Sequence, residues 1–253
     1  MAGARMEHAE YLTMAAVEDH HWWYGGMRAI AAAMLAEVYP AASRLQILDA
    51  GCGTGGNIGL LQRYGQTIGI DIAPDAISFA ANRLAGRLAR SSVLQLPFAD
   101  QSFDLVTSFE VLYHRGVPSE ATALAEAYRV LRPGGRLLIR LPAFEVLRGN
   151  HDRAVHGRRR YTAAEVHAFL TATGFTVERS SYVNSLLLPL PLVQRIGERL
   201  LPAVEQSDSD LALPPPLLNE FLRWPMAAEA AWIAHGGRFP VGLSVLCRAR
   251  RIH

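Results

Sequence analysis

The chain has 253 residues, and all 25 of its basic residues are arginine; against 23 acidic residues the formal charge is +2, with 50% hydrophobic and 19% charged residues. That near-balance excludes a dedicated nucleic-acid binder, which concentrates positive charge on one face. The missing lysine excludes Schiff-base, pyridoxal-phosphate and lysine phosphate-loop chemistry. In chain order, residues 1–44 read as mostly helical and carry the aromatic cluster His20-His21-Trp22-Trp23-Tyr24. No apolar run follows Arg5, so a secretory leader is not expected. Leu45–Ala50 is a short apolar run ending in Asp and then glycines, as a buried parallel strand does. The pattern then predicts a helix over Ile58–Tyr64, a strand over Gln66–Asp71, a helix over Pro74–Arg87, and strands over Ser92–Leu96 and Phe103–Phe109. A helix over Ser119–Leu131 is stopped by Arg132-Pro133-Gly134-Gly135. Strands over Arg136–Leu141 and Phe175–Tyr182 enclose a helix over Thr162–Thr173, started by a Thr162/Glu165 capping box. The last strand, Gly242–Arg248, returns the C-terminus to the sheet and makes the chain one domain. Two cysteines, Cys52 and Cys247, are too few for a disulfide framework or a cysteine zinc site, and a reduced, cytoplasmic setting is expected. Leu186–Val193, broken by Pro189 and Pro191, falls short of the ~20 apolar residues a bilayer span needs.

Between the first strand and the first core helix stands Asp49-Ala50-Gly51-Cys52-Gly53-Thr54-Gly55-Gly56, and Asp71 closes the second strand 20 residues beyond Gly51. The glycines satisfy a dinucleotide fingerprint, with Asp71 placed to hold ribose hydroxyls. Asp49, however, is awkward beside a pyrophosphate and favourable beside an ammonium group. The pattern therefore suits a cofactor with a ribose and a cationic amino-acid end. Asp49–Gly55, Ile70-Asp71, Leu96-Pro97-Phe98 with Ser102-Phe103-Asp104, and Leu131-Arg132-Pro133-Gly134-Gly135 together resemble the motifs of class I S-adenosylmethionine (SAM)-dependent methyltransferases, in the family's order and spacing. The resemblance covers residues 45–182 and is nearest the UbiE-like, ubiquinone-type subgroup. It implies a Rossmann-like α/β fold with a seven-stranded, mostly parallel sheet whose last strand is antiparallel. It also implies SAM as cofactor and S-adenosylhomocysteine as product. The core is expected over 45–183 and 242–250, with an N-terminal helical cap over 1–44 and a helical insertion over 184–241.

Carried over to matching positions, Gly51, Gly53 and Gly55 let the backbone approach the methionine and ribose parts, with Cys52 a filler within this cofactor-binding loop, and Asp49 helps hold the amino group, directly or through water. Asp71 accepts from the ribose hydroxyls and Ile72 lies on the adenine. Where relatives often have an acid before the Leu-Pro-Phe motif this chain has Ser92, so adenine recognition is expected from Ser92 with Val93 and Leu94. Phe109 and Glu110 supply backbone near the amino end. The cluster Trp22–Arg28 resembles an entry helix that closes over the cofactor, with Tyr24 and Arg28 near its carboxylate.

Methyl transfer needs an aligned nucleophile and, for an alcohol or phenol, a base. Histidine suits that task at neutral pH. His114, after the fourth strand, and His156 are the candidates, with His151 and His21 behind them; His114 is alternatively a loop-ordering residue. Arg158, Arg159 and Arg160 either hold an acidic substrate end, as arginine binds carboxylates in bidentate fashion, or pair with surface acids. His20 and His21 lack a third ligand at metal spacing, so no metal is expected. The insertion carries a possible amphipathic helix with Leu192, Ile196 and Leu200 opposite Arg195, Glu198 and Arg199. A lid over an apolar substrate fits it best; a homodimer surface and a lipid-facing patch are the alternatives. The sequence thus reads as a methyltransferase acting on a small or medium apolar acceptor at oxygen, in biosynthesis, without nucleic-acid partners or a transmembrane segment. Methylation at carbon, nitrogen or carboxylate, and SAM binding without transfer, are the alternatives.

Overall fold

The computed structural model describes residues 8–84, 86–149, 152, 155–190, 192 and 213–253. Seven strands form one sheet: β1 (Leu45–Ala50), β2 (Gly65–Asp71), β3 (Leu88–Arg90), β4 (Phe103–Phe109), β5 (Leu131–Pro142), β6 (Phe175–Val183) and β7 (Ser244–Arg251). Their spatial order is β3-β2-β1-β4-β5-β7-β6. The pairs from β3 to β5 are parallel, while β7 lies antiparallel between β5 and β6. The sheet and the antiparallel last strand are as the family resemblance implies.

The helices are α1 (His8–Val17), α2 (Trp22–Ala36), α3 (Ile58–Leu61), α4 (Pro74–Ala80), α5 (Glu120–Val130), α6 (Ala163–Ala172) and α7 (Pro216–Ala234). Two cores result. One joins the sheet to α5 and α6, the other to α2 and α7. Both faces of the inner strands are covered, which is why β1 and β4 read as near-continuous apolar runs. Thr162 and Glu165 form the capping box that starts α6, and Ser119 caps α5 by accepting from Thr122 N–H.

The third strand is displaced from its expected place. Ser92–Leu96 is a turn in which Gln95 N–H donates to the Ser92 carbonyl (3.2 Å). Leu88–Arg90 takes the edge instead, paired with Gly69–Asp71. Period-2 patterning is weak over three residues, so pairing to β2 decides the matter. The helices expected over 58–64 and 74–87 end at Leu61 and Ala80 and continue as turns, the second closed by Gly86 at φ +75°.

The segment 184–241 is not one unit. Asn184–Leu190 follows β6 along the carboxyl end of the sheet, whereas α7 packs on α2. The two parts are joined by the carboxylate of Glu229, fully buried, which accepts from the N–H groups of Asn184 (2.5 Å), Ser185 (2.8 Å) and Leu186 (3.3 Å). Of the amphipathic helix expected around Leu192–Leu200, only Leu192 is among the described residues, and it is exposed. No helix of the described residues is long and apolar enough to cross a membrane.

Candidate active site

β1 ends on Asp49 and Ala50, and the chain then turns through three glycines with left-handed backbone: Gly51 (φ +86°), Gly53 (φ +54°) and Gly55 (φ +91°). Gly51 is required twice over. A Cβ there would sit 2.3 Å from Val111 Cγ2, and its φ is one that L side chains rarely adopt. The N–H groups of Gly51 and Cys52 both donate to the Ile70 carbonyl (2.9 and 2.8 Å), laying the loop across the end of β2. There the Asp71 carboxylate accepts from Gly53 N–H (3.0 Å) and Ala73 N–H (2.9 Å). Each oxygen keeps a further lone-pair direction for a ligand hydroxyl. Burial raises the Asp71 pKa above the ordinary carboxylate value, against those backbone donors.

A cavity of about 640 Å³ opens over this loop, at the carboxyl ends of β1, β2, β4 and β5, where open α/β sheets bind ligands. It lies within the ~300–1,000 Å³ typical of ligand pockets. Of the expected residues, it is lined by Gly51, Cys52 and Gly53 from the loop, Asp71 and Ile72 after β2, and Ser92 and Val93 from the turn. Phe109, Glu110 and His114 after β4, and Tyr24 and Arg28 from α2, complete the set. Exposed Ile72, at 48%, presents an apolar face at this end of the cavity. Ser92 Oγ accepts from Leu94 N–H (3.2 Å), which spends part of the hydroxyl's capacity locally.

Four expected site residues stand elsewhere. Gly55, Leu94 and His156 do not line the cavity. His156 lies on a turn with φ +54°, where its carbonyl accepts from Arg115 N–H (3.0 Å). Asp49 is buried behind the loop: Thr107 Oγ1 donates to its Oδ1 (2.7 Å), while its Oδ2 is buried without a partner. Burial pushes the Asp49 pKa up to about 6. An orphaned carboxyl whose charged form burial disfavours is what a cationic ligand group would relieve, directly or through water. SAM affinity should therefore weaken as pH falls through about 6, because protonation of Asp49 then competes with the ligand's ammonium. Titration calorimetry between pH 7.5 and 5.5 checks this; an Asp49→Asn protein retaining the full dependence would remove Asp49 as its source.

Charged residues that no motif announced also surround the cavity. Glu18, at the end of α1, is 3% exposed and presses on the glycine loop: a Cβ at Gly56 would fall 2.3 Å from its Oε2. Arg83 holds Glu18 (3.0 Å) and chelates Asp19 (2.8 and 2.9 Å), so α1 is clasped to the far side of the loop. Burial raises the pKa of Glu18. Arg28 donates to the Glu18 carbonyl (3.0 Å) and makes no ion pair among the described residues, leaving donors for an anionic ligand end.

Beyond Glu110 the lining changes. Arg140 donates to Glu110 Oε1 (3.0 Å), which also accepts from Ser244 Oγ (3.0 Å), and its guanidinium lies over the Trp23 and Phe109 rings. Arg160 grips Asp152 through two nitrogens (2.8 and 3.0 Å). Both pairs are internally neutralised, and apolar Val117, Leu147, Val155, Leu187 and Leu243 fill the wall around them. Arg158 pairs with Glu120 (2.6 Å) and Arg159 with Glu165; neither lines the cavity. Of the arginine triplet, only Arg160 faces it. Arg140 was the one missed residue with a sequence signal, a charge inside the apolar run Leu137–Leu141. Cys52 and Cys247 are free and buried, and burial raises both thiol pKa values, so neither is poised as a nucleophile.

His114 has its Nδ1 2.7 Å from the Val155 carbonyl oxygen, which only accepts, so Nδ1 carries the proton and Nε2 is left basic. Burial lowers its pKa, keeping the ring neutral near pH 7.

Residues 48–139 match the family described as a methyltransferase domain. The demethylmenaquinone methyltransferase of Lactiplantibacillus plantarum is 40% identical over 108 residues, which are 38% of this chain and 45% of that protein. The malonyl-[acyl-carrier protein] O-methyltransferase of Serratia marcescens is 33% identical over 150 residues, 57% of this chain and 56% of that one. The chain thus spans about half the length of these curated relatives. An S-adenosylmethionine-dependent methyltransferase from Mesorhizobium loti shares the fold, with a TM-score of 0.56 at 17% identity, over 92% of this chain and all of that one (100%).

Proposed function

We propose that the chain is a class I SAM-dependent methyltransferase that moves a methyl group from SAM to an oxygen of a small or medium apolar acceptor. One observation carries the reading. A single cavity runs from the Asp71-pinned glycine loop, past His114, to a wall of apolar side chains and self-neutralised ion pairs. The first half suits the cofactor: glycine backbone, a carboxylate with spare lone pairs, an orphaned acid behind the loop and an uncommitted arginine. The second half suits an uncharged acceptor, since the cations facing it already hold carboxylates. Its openness favours transfer over a SAM-binding protein without activity, in which this space would be filled. The relatives named above are a demethylmenaquinone methyltransferase and a malonyl-[acyl-carrier protein] O-methyltransferase, and their names offer a biosynthetic setting for this chain.

SAM supplies an electrophilic methyl on a sulfonium, so the protein need only align the nucleophile and move one proton. Asp71 and the loop fix the nucleoside end, and Arg28 pairs with the carboxylate end. Val117, Leu147 and Leu187 exclude water from the acceptor. His114 Nε2 takes the hydroxyl proton as the oxygen attacks, while Nδ1–H stays on the Val155 carbonyl and holds the ring. His156, off the cavity wall, has no part in this step.

His114→Ala is expected to lower turnover by ~10²-fold, the low end of a general-base contribution, with SAM affinity within about twofold of the unsubstituted protein. Because burial lowers the His114 pKa, the acid limb of kcat/KM for the acceptor, read at saturating SAM so that Asp49 does not contribute, should fall below the ordinary midpoint of about 6.5 and vanish in the variant. Stopped assays on quinol and acyl-ester acceptors with labelled SAM test both. Unchanged turnover and an unchanged acid limb would leave alignment alone as the mechanism.

A further inference from the structure

α7 buries one side and leaves the other bare in an ordered way. Asn219, Leu222, Met226, Glu229 and Ile233 face inward, toward α2 and the sheet. On the opposite side Leu217 is 89% exposed, Phe221 69%, Trp224 77% and Trp232 54%, and Ala228 and Ala231 are exposed among them. The positions 217, 221, 224, 228 and 231 alternate in steps of four and three, the seam with which one helix packs against another. Scattered apolar surface residues are ordinary, but a contiguous stripe with two tryptophans and a phenylalanine marks an interaction site.

We infer that this stripe is a two-fold interface with the α7 of a second copy of the chain. The seam is graded, with Leu217, Phe221 and Trp224 in its first half and Ala228 and Ala231 in its second. Antiparallel pairing about a two-fold near Trp224 sets Phe221 against the partner's Ala228 and Leu217 beside the partner's Ala231. Each bulky half then meets a small half, the self-complementarity an isologous interface requires. Size agrees: at ~150–250 Å² per aromatic side chain, the three aromatics expose roughly 400 Å². The flanking leucines Leu213, Leu217 and Leu218 bring the face close to the ~800 Å² per partner of a standard interface. Charge argues the same way. Glu220 and Arg223 beside the seam pair with each other (2.7 Å), so this pair offers no net positive charge to an anionic lipid surface or nucleic acid. No seam residue lines the cavity, so pairing along the seam covers none of its wall.

Sedimentation velocity at ~10 μM should give twice the 27.7 kDa chain mass. Trp224→Glu should weaken self-association by more than ~10-fold while SAM affinity stays within about twofold, since no seam residue lines the cavity. A Phe221→Cys/Ala228→Cys protein should form an interchain disulfide under diamide, with little background because Cys52 and Cys247 are buried. This crosslink needs no destabilising charge and decides the matter should Trp224→Glu fail to fold. A monomer of 27.7 kDa at ~100 μM would overturn the interface. So would a dimer that survives Trp224→Glu without the crosslink, or a monomer that co-sediments with phosphatidylcholine–phosphatidylglycerol vesicles.

Discussion

Asp71→Ala is expected to weaken SAM binding by ~100-fold or more, about 2.8 kcal/mol. Two effects add. The carboxylate is the only acid at the end of β2 in the cavity lining, so its loss removes charged acceptors for the ribose hydroxyls, and hydrogen bonds to a charged group contribute ~1.5–3 kcal/mol each. It also frees Gly53 N–H and Ala73 N–H, loosening the loop over which the cofactor's backbone contacts are made. Asp71→Asn separates these effects: it keeps one acceptor but turns an amide donor toward one of the two N–H groups, and should fall between alanine and aspartate. Calorimetry with SAM and S-adenosylhomocysteine, beside a melting curve to show that the fold is retained, checks the expectation. A dissociation constant within about threefold of the unsubstituted protein would sink the ribose role.

Glu229→Ala is expected to cost about 2–4 kcal/mol of stability, since each buried donor left without an acceptor costs ~1–3 kcal/mol. Its carboxylate joins three consecutive backbone N–H groups after β6 to the middle of α7, at 0% exposure. Without it, the buried Asn184 N–H and the half-buried Ser185 N–H lose their acceptor, and a void opens where the carboxylate stood. Glu229→Gln keeps one acceptor oxygen and should cost about half as much, so the test survives an alanine variant too unstable to purify. Urea unfolding reads the difference, and a loss below ~1 kcal/mol for alanine would show that other contacts hold 184–186 to α7.

Much of the fold was legible along the chain because its signals are local. Asp followed by glycines must leave a strand, Pro133-Gly134-Gly135 must interrupt a helix, and Thr162 with Glu165 must start one. The same locality explains the errors. Three residues of β3 carry too little pattern to outrank Ser92–Leu96, and only pairing with Gly69–Asp71 selects them. Gly51 to Gly53, Asp71 and Ile72 come together on the cavity wall because loop and strand end are fixed by a few bonds between neighbours. Asp49 is expected to help hold the amino group directly or through water; its side chain lies behind the loop on Thr107, a placement that only the packing of β1 against β4 decides.

By itself, then, the sequence determined the alternation of strands and helices, the glycine turn with its acid 20 residues on, and the fact that every fixed cation is arginine. Only the tertiary structure decided which arginine meets which acid. Arg158 and Arg159 are spent on Glu120 and Glu165, Arg160 on Asp152, Arg140 on Glu110, and Arg28 is left toward the cavity. Such pairings join positions up to tens of residues apart. They are chosen by the cost of burying a charge without a partner, a quantity that does not exist until the chain is folded.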